Sequence, residues 1–331
     1  MTGRVALSAE DLEKRLTFPA LVEALREGFG RGIIVPVRHH HSIQVPGEKE
    51  ATLLLMPAWD MAGTGAGAGG AEAGDGEHIG VKVVTVHPGN AARGLPSVQA
   101  TYLLLDGRTG ALLATLDGTM LTLRRTAAAS ALAASYLARE GAGRLLMVGA
   151  GALAPHLIEA HASQLPIQRV DIWNHRGERA EALAATLRQA GARYDIVAVE
   201  NLEAAAREAD IISCATLSAE PLIHGAWLKA GAHLDLVGAF TPAMRESDDA
   251  AVARAAIFVD TRAGALREAG DIMQPIAAGL IGEAAIRADL FDLCRGLHPG
   301  RTDASEVTLF KSVGTALEDL VAAAFAMRVA G

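Results

Sequence analysis

The chain has 331 residues, enough for about two domains with substantial cores, and it is 50% apolar and 21% charged, a globular composition. A net charge of -8 argues against a nucleic-acid or anionic-membrane partner, since either requires a basic face. Cys214 and Cys294 are the only cysteines, so no disulfide framework and no Cys/His metal spacing is expected. The N-terminal MTGRVALSAEDLEKR lacks the apolar segment of a secretory signal. The longest uncharged helical run, Thr126 to Ala138, is too short to span a bilayer, so a cytoplasmic location is expected.

In chain order, Ser8-Ala9-Glu10-Asp11 predicts a capping box opening a short helix. A second helix starts near Pro19, with Leu21, Leu25 and Phe29 on one face, and stops at the glycines 28, 30 and 32. Strand-like segments follow at Val37 to Val45, Thr52 to Pro57, Ile79 to Val86, Ser97 to Asp106 and Ala111 to Asp117. Asp106 to Gly110 between the last two is a hairpin signal, so this part reads as a mostly antiparallel sheet flanked by helices. Ala62 to Gly76 is low-complexity Gly/Ala, expected to be a loop without chemistry. A long helix from Met120 to Arg139 leads out of the sheet.

The pattern then changes. Leu145 to Val148 is a short apolar strand that breaks into Gly149-Ala150-Gly151-Ala152-Leu153, ahead of a helix with Leu153, Leu157 and Ile158 on its apolar face. Gly149-x-Gly151-x-x-Ala154 is the dinucleotide fingerprint in its G/A form. Its first glycine allows the tight turn, its second lets backbone approach a pyrophosphate, and the helix N-terminus supplies N–H groups to the phosphates. Strands at Arg169 to Trp173, Asp195 to Val199, Ile211 to Ala215, His233 to Val237 and Ile257 to Asp260 alternate with helices at Glu178 to Ala190 and Leu202 to Glu208, and with a helical turn at Ala226 to Ala230. Such alternation implies a doubly wound parallel sheet with ligand at the carboxyl ends of its strands. The last helix, Val313 to Val329, leaves this rhythm and is expected to pack on the first part.

The second strand of the alternating part ends in Trp173-Asn174-His175-Arg176, where an NAD site usually carries an acid for the ribose 2′-hydroxyl. Neutral Asn174 with His175 and Arg176, and Arg179 a turn on, suits a 2′-phosphate, so NADPH is expected, with NADH as the alternative. Lys82 interrupts an apolar strand, where a solvent-facing lysine is the ordinary case. Of Arg124 and Arg125, at a helix start, one is expected only at the surface. His39, His40 and His41 invite a metal reading, but strand alternation splits their faces and no acid or cysteine is suitably spaced, so no metal is expected.

Taken together, Gly80-Val81-Lys82, Asn90, Gly94-Leu95-Pro96, LTLRRTAA at 121–128, Val148 to Ala154, GAFTPAMRE at 238–246 and TLFKSVG at 308–314 resemble the ornithine cyclodeaminase/mu-crystallin family nearly end to end. The resemblance implies an α/β protein in which a Rossmann-type doubly wound domain is inserted into a discontinuous α+β domain for substrate binding and dimerisation. The expected division is 1–125 with 308–331, and 126–307. It places substrate-carboxylate contacts at Arg38, Lys82 and Arg125, a catalytic role on Lys82, and further cofactor contacts at Thr216, Gly238 and Ser312. Cyclodeaminases carry a catalytic Asp where this chain has Phe240, which cannot take a proton, so deamination is not expected. The wording at 238–246 resembles the ketimine reductase branch, which implies NAD(P)H-dependent reduction of Δ1-pyrroline-2-carboxylate or Δ1-piperideine-2-carboxylate to L-proline or L-pipecolate by a homodimer. The alternatives are an ornithine cyclodeaminase or alanine dehydrogenase-type oxidoreductase, and an NADPH-gated small-molecule binding protein.

Overall fold

A computed structural model describes residues 5–60 and 77–329, which form two compact units. Residues 1–126 with 315–331 make up the first and 127–314 the second. The low-complexity segment expected to be a loop at 62–76 lies outside the described residues.

The first unit begins with β1 (Val5–Leu7), α1 (Ala9–Arg15) and α2 (Phe18–Gly30). The predicted capping box is present: Ser8 Oγ accepts from the Asp11 N–H while the Asp11 carboxylate accepts from the Ser8 N–H. Next come β2 (His39–Ile43), β3 (Ala51–Asp60), β4 (His78–Val86), β5 (Val98–Asp106) and β6 (Leu112–Asp117). Their sheet runs β1-β6-β5-β4-β3-β2, antiparallel except for β1 on β6. The sequence predicts a strand stopping at Pro57, yet β3 continues to Asp60. β2 pairs only with residues 51 to 55, so Pro57 lies past that neighbour, where a missing N–H breaks no ladder on that side.

α3 (Gly118–Leu137) runs from this unit into the second. The second contains β7 (Arg144–Val148), α4 (Ala154–Gln164), β8 (Arg169–Trp173), α5 (Gly177–Gln189), β9 (Asp195–Ala198), α6 (Leu202–Glu208), β10 (Ile211–Cys214) and β11 (His233–Leu236). It continues with α7 (Asp249–Arg254), β12 (Ala256–Val259), α8 (Arg262–Glu268), α9 (Gly270–Ala277), β13 (Ile286–Asp289), α10 (Leu290–Cys294) and β14 (Thr308–Lys311). All eight strands are parallel, in the order β13-β12-β14-β11-β10-β7-β8-β9. From β7 the chain winds outward first through β8 and β9, then through β10 and β11 on its other side. The β7–α4 turn therefore stands at the switch point, where such sheets bind ligands.

The unit's boundary corrects one expectation. The sequence suggests that the nucleotide unit ends at 307, but β14 lies between β11 and β12 and the division falls after Gly314. Four buried residues bonded on both sides, TLFK, carry no alternation to mark them as a strand.

The chain then returns to the first unit as α11 (Ala316–Arg328), which packs on α2, β3, β4 and β5. Two glycines allow this approach. A Cβ at Gly28 would overlap the Val321 side chain, and one at Gly80 would stand 2.7 Å from Tyr102 Cζ and 2.9 Å from Leu320 Cδ1. Leu12, Leu21, Leu25, Phe29, Leu104 and Leu317, all fully buried, fill the core of this unit.

Candidate active site

At the β7–α4 turn, Gly149 has φ 109°, a left-handed conformation that favours glycine, and a Cβ there would lie 2.7 Å from Ala215 O. A Cβ at Gly151 would meet nothing within 4 Å, so the backbone of this exposed residue opens onto space. Ala154 is fully buried, as close helix–strand packing requires, and no described side chain caps α4. A sterically required glycine, an open one and an uncapped helix start fit a dinucleotide pyrophosphate. Ala150 and Leu153 are half-buried here and Ala152 is exposed.

In the middle of β8, Asp171 is buried and accepts from Arg144 Nε (2.8 Å) and Arg169 Nε (2.9 Å), so it is committed to the fold. Asn174 Nδ2 donates to Arg176 O (3.1 Å), and Arg176 Nε to His175 Nε2 (3.3 Å); His175, Arg176 and Arg179 are exposed. The acid that follows, exposed Glu178, sits in the first turn of α5.

Thr216, Gly238 and Ser312 follow the ends of β10, β11 and β14. The Thr216 hydroxyl donates to Glu246 Oε1 (2.8 Å), and that of Ser312, 1% exposed, donates to Asp260 Oδ2 (3.2 Å). Both hydroxyl protons and the N–H groups of all three residues are thus spent inside the unit, so these positions shape the border of the site rather than offer a ligand free donors.

The cations of the first unit come together. Lys82, in the middle of β4, is 2% exposed, which corrects the solvent-face alternative for a strand lysine. Its Nζ lies 2.8 Å from Asp319 Oδ2 and donates to Thr122 Oγ1 at 3.3 Å. Arg125 Nε donates to Asp319 Oδ1 (3.0 Å), and its Nη1 donates to Glu318 Oε2. Asp319 therefore bridges the two cations, and α11 delivers it because Thr315 caps that helix and places both acids in its first turn.

Burial drives the Lys82 pKa down from 10.5 to about 8; Asp319 opposes the shift, and the charges of Arg125 and Arg38 add to it. Burial also disfavours the Asp319 anion, but Lys82 and Arg125 outweigh it and hold its carboxyl below the usual range. Arg38, half-buried just before β2, is therefore electrostatically part of the group. The Tyr102 hydroxyl, paired across the sheet from Lys82, is fully buried with no hydrogen-bond partner among the described residues.

Arg124 corrects another expectation. It is 3% exposed, with Nε donating to Leu16 O (2.9 Å) and the guanidinium carbon 3.7 Å from the Phe18 ring centroid, so neither arginine is at the surface. His39, His40 and His41 lie exposed on β2. Sequence reasoning missed Glu318, Asp319 and Tyr102. First-turn acids read as ordinary helix-dipole partners, although two buried cations demand buried anions.

The chain matches the ornithine cyclodeaminase/mu-crystallin family over residues 4–328. It is 41% identical over 324 residues to a Delta(1)-pyrroline-2-carboxylate reductase of Paracoccus denitrificans, covering 98% of this chain and 96% of that one. It is 35% identical over 326 residues to the mouse (Mus musculus) ketimine reductase mu-crystallin, covering 96% and 94%. The solved Thermococcus litoralis Delta(1)-pyrroline-2-carboxylate reductase in complex with NADH and L-proline is similar with a TM-score of 0.85 at 34% identity, covering 97% of this chain and 96% of that one. With that extent of match, the chain belongs to the ornithine cyclodeaminase/mu-crystallin family.

Proposed function

We propose that this protein is an NAD(P)H-dependent reductase of cyclic ketimine carboxylates, converting Δ1-pyrroline-2-carboxylate or Δ1-piperideine-2-carboxylate to L-proline or L-pipecolate. The observation that carries the reading is the buried group of Lys82, Arg125 and Asp319, set in a family whose similar members bear reductase names. When bound, the dinucleotide supplies the hydride to the ring carbon of the C=N bond. The substrate carboxylate needs fixed cations, and Arg125 and Arg38 supply charge for it.

The ring nitrogen must end with one more proton, and Lys82 is suited to provide it. Two of its three Nζ donors are accounted for by Asp319 and Thr122, which leaves a third for a substrate atom. An ammonium with a pKa of about 8 gives up a proton far more readily near neutrality than an ordinary lysine. Residues 5–126 and α11 form the substrate unit in this reading, and 127–314 the nucleotide unit, with NADPH preferred through Asn174, His175 and Arg176. The protein acts as a homodimer, which a solution mass of twice that of the chain checks. Steady-state reduction of five- and six-membered cyclic imines with NADPH and with NADH tests the activity directly.

A further inference from the structure

One fully buried acid of the nucleotide unit has no part in the chemistry above. Glu246, 0% exposed, follows β11 in the GAFTPAMRE segment. Its Oε1 accepts from the Thr216 N–H (2.7 Å) and hydroxyl (2.8 Å), and its Oε2 from the N–H groups of Gly238 (2.8 Å) and Ala239 (3.2 Å). One carboxylate thus ties together the residues that follow β10 and β11. The glycine at 238 belongs to the same arrangement, because a Cβ there would overlap the Thr216 backbone and crowd Glu246 Oε1. The clamp also reaches the fingerprint turn: the Thr216 methyl lies 3.3 Å from where a Cβ of Gly149 would stand.

Glu246 is itself held firmly. Its N–H donates to Asp271 Oδ1 (2.9 Å), its carbonyl accepts from the N–H groups of Leu222 and Ile223, and Asp271 Oδ2 lies 3.2 Å from the buried Lys311 ammonium. Burial raises the Glu246 pKa, opposed by Lys311 and the Thr216 bonds. Four donors converge on its two oxygens, so a proton placed there would face N–H and O–H groups rather than an acceptor.

We infer that Glu246 is a positioning residue for the dinucleotide, acting through Thr216, Gly238 and Ala239 to fix the strand ends that border the cofactor beside Gly149. The inference rests on the nicotinamide-cofactor reading above. Glu246→Gln keeps the shape but turns one oxygen into a donor facing N–H groups. NADPH Kd, read by titration, is expected to rise about tenfold or more, while the imine KM at saturating NADPH stays within about twofold. Thr216→Val, which removes one clamp bond and leaves the carboxylate in place, is the milder probe and should raise Kd about threefold or more. The double variant should bind NADPH no more weakly than Glu246→Gln alone, because the hydroxyl acts only through the clamp.

Unchanged NADPH affinity in either single variant, or additive losses in the double, overturns the inference while wild type still binds. If Glu246→Gln does not fold, Thr216→Val decides. Wild-type protein that binds neither NADPH nor NADH overturns the cofactor reading itself, and the inference with it.

Discussion

At the scale of single residues, Asp319 sets the chemistry available to Lys82. A buried ammonium is costly unless paired, and Asp319 is the main influence holding the lysine's pKa as high as about 8. A general acid works in its protonated form, so kcat/KM should fall as pH rises through about 8. Asp319→Asn removes the opposing anion, so the Lys82 pKa drops further and the falling limb moves to lower pH. A kcat/KM–pH profile for both proteins checks this; a limb that stays in place or moves upward contradicts the role given to Lys82. The two adjacent arginines separate in the same way. Arg125 pairs with Asp319 and Glu318, whereas Arg124 binds the Leu16 carbonyl and the Phe18 face. Arg125→Met should lower kcat/KM by about thirty-fold to several thousand-fold, the effect of truncating one partner of a buried charge pair at about 2–5 kcal/mol. Arg124→Met should instead cost about 1–3 kcal/mol of stability by leaving Leu16 O unpaired, and leave kcat/KM of the folded fraction near wild type. Thermal melts alongside kinetics distinguish the two, and a larger kinetic loss for Arg124→Met reverses the assignment.

Among the elements, the β8–α5 loop governs cofactor choice. With Asp171 committed to Arg144 and Arg169, the residues presented outward are His175 and Arg176, with Arg179 beyond. Arg–phosphate pairs are charge-assisted and often bidentate, so Arg176→Ala should erode the preference for NADPH through NADPH alone. Equal losses of kcat/KM with NADPH and NADH, or a wild-type preference for NADH, would show that this loop does not read the 2′-phosphate. The same elements show what sequence reveals. β8 and α6 fall on their predicted residues, and the capping box at Ser8 is present, because periodicity and capping are local signals. β14, β13 and the helices α7 to α10 were not legible as elements, although β12 among them was. A four-residue strand with bonded neighbours on both sides has no polar face to mark it, and Lys311 at its end is fully buried against Asp271 rather than in solvent. Lys82 misleads for the same reason: a buried cation is recognisable only once its partner, 237 residues further along the chain, is placed beside it.

In the molecule as a whole, the chain leaves the first unit through α3, builds the eight-stranded sheet, and returns with α11. That return makes the cation site possible, because α11 carries Glu318 and Asp319 into the unit that holds Lys82 and Arg125. The two-part organisation was readable from the change of rhythm near Met120, whereas the far boundary needed the position of β14. The loop after β11 bears on the reaction class. Phe240 there is 47% exposed and has no group to accept a proton from an amine. The measurement that tests the central claim most directly is one steady-state panel of Δ1-pyrroline-2-carboxylate, Δ1-piperideine-2-carboxylate and L-ornithine, with NADPH and NADH for the imines and NAD for ornithine, products identified by mass. A cyclic ketimine reductase predicts saturable dinucleotide oxidation with proline or pipecolate formed from the imines, and no proline from ornithine. Proline and ammonia from ornithine, or dinucleotide binding without turnover of either imine, would contradict it.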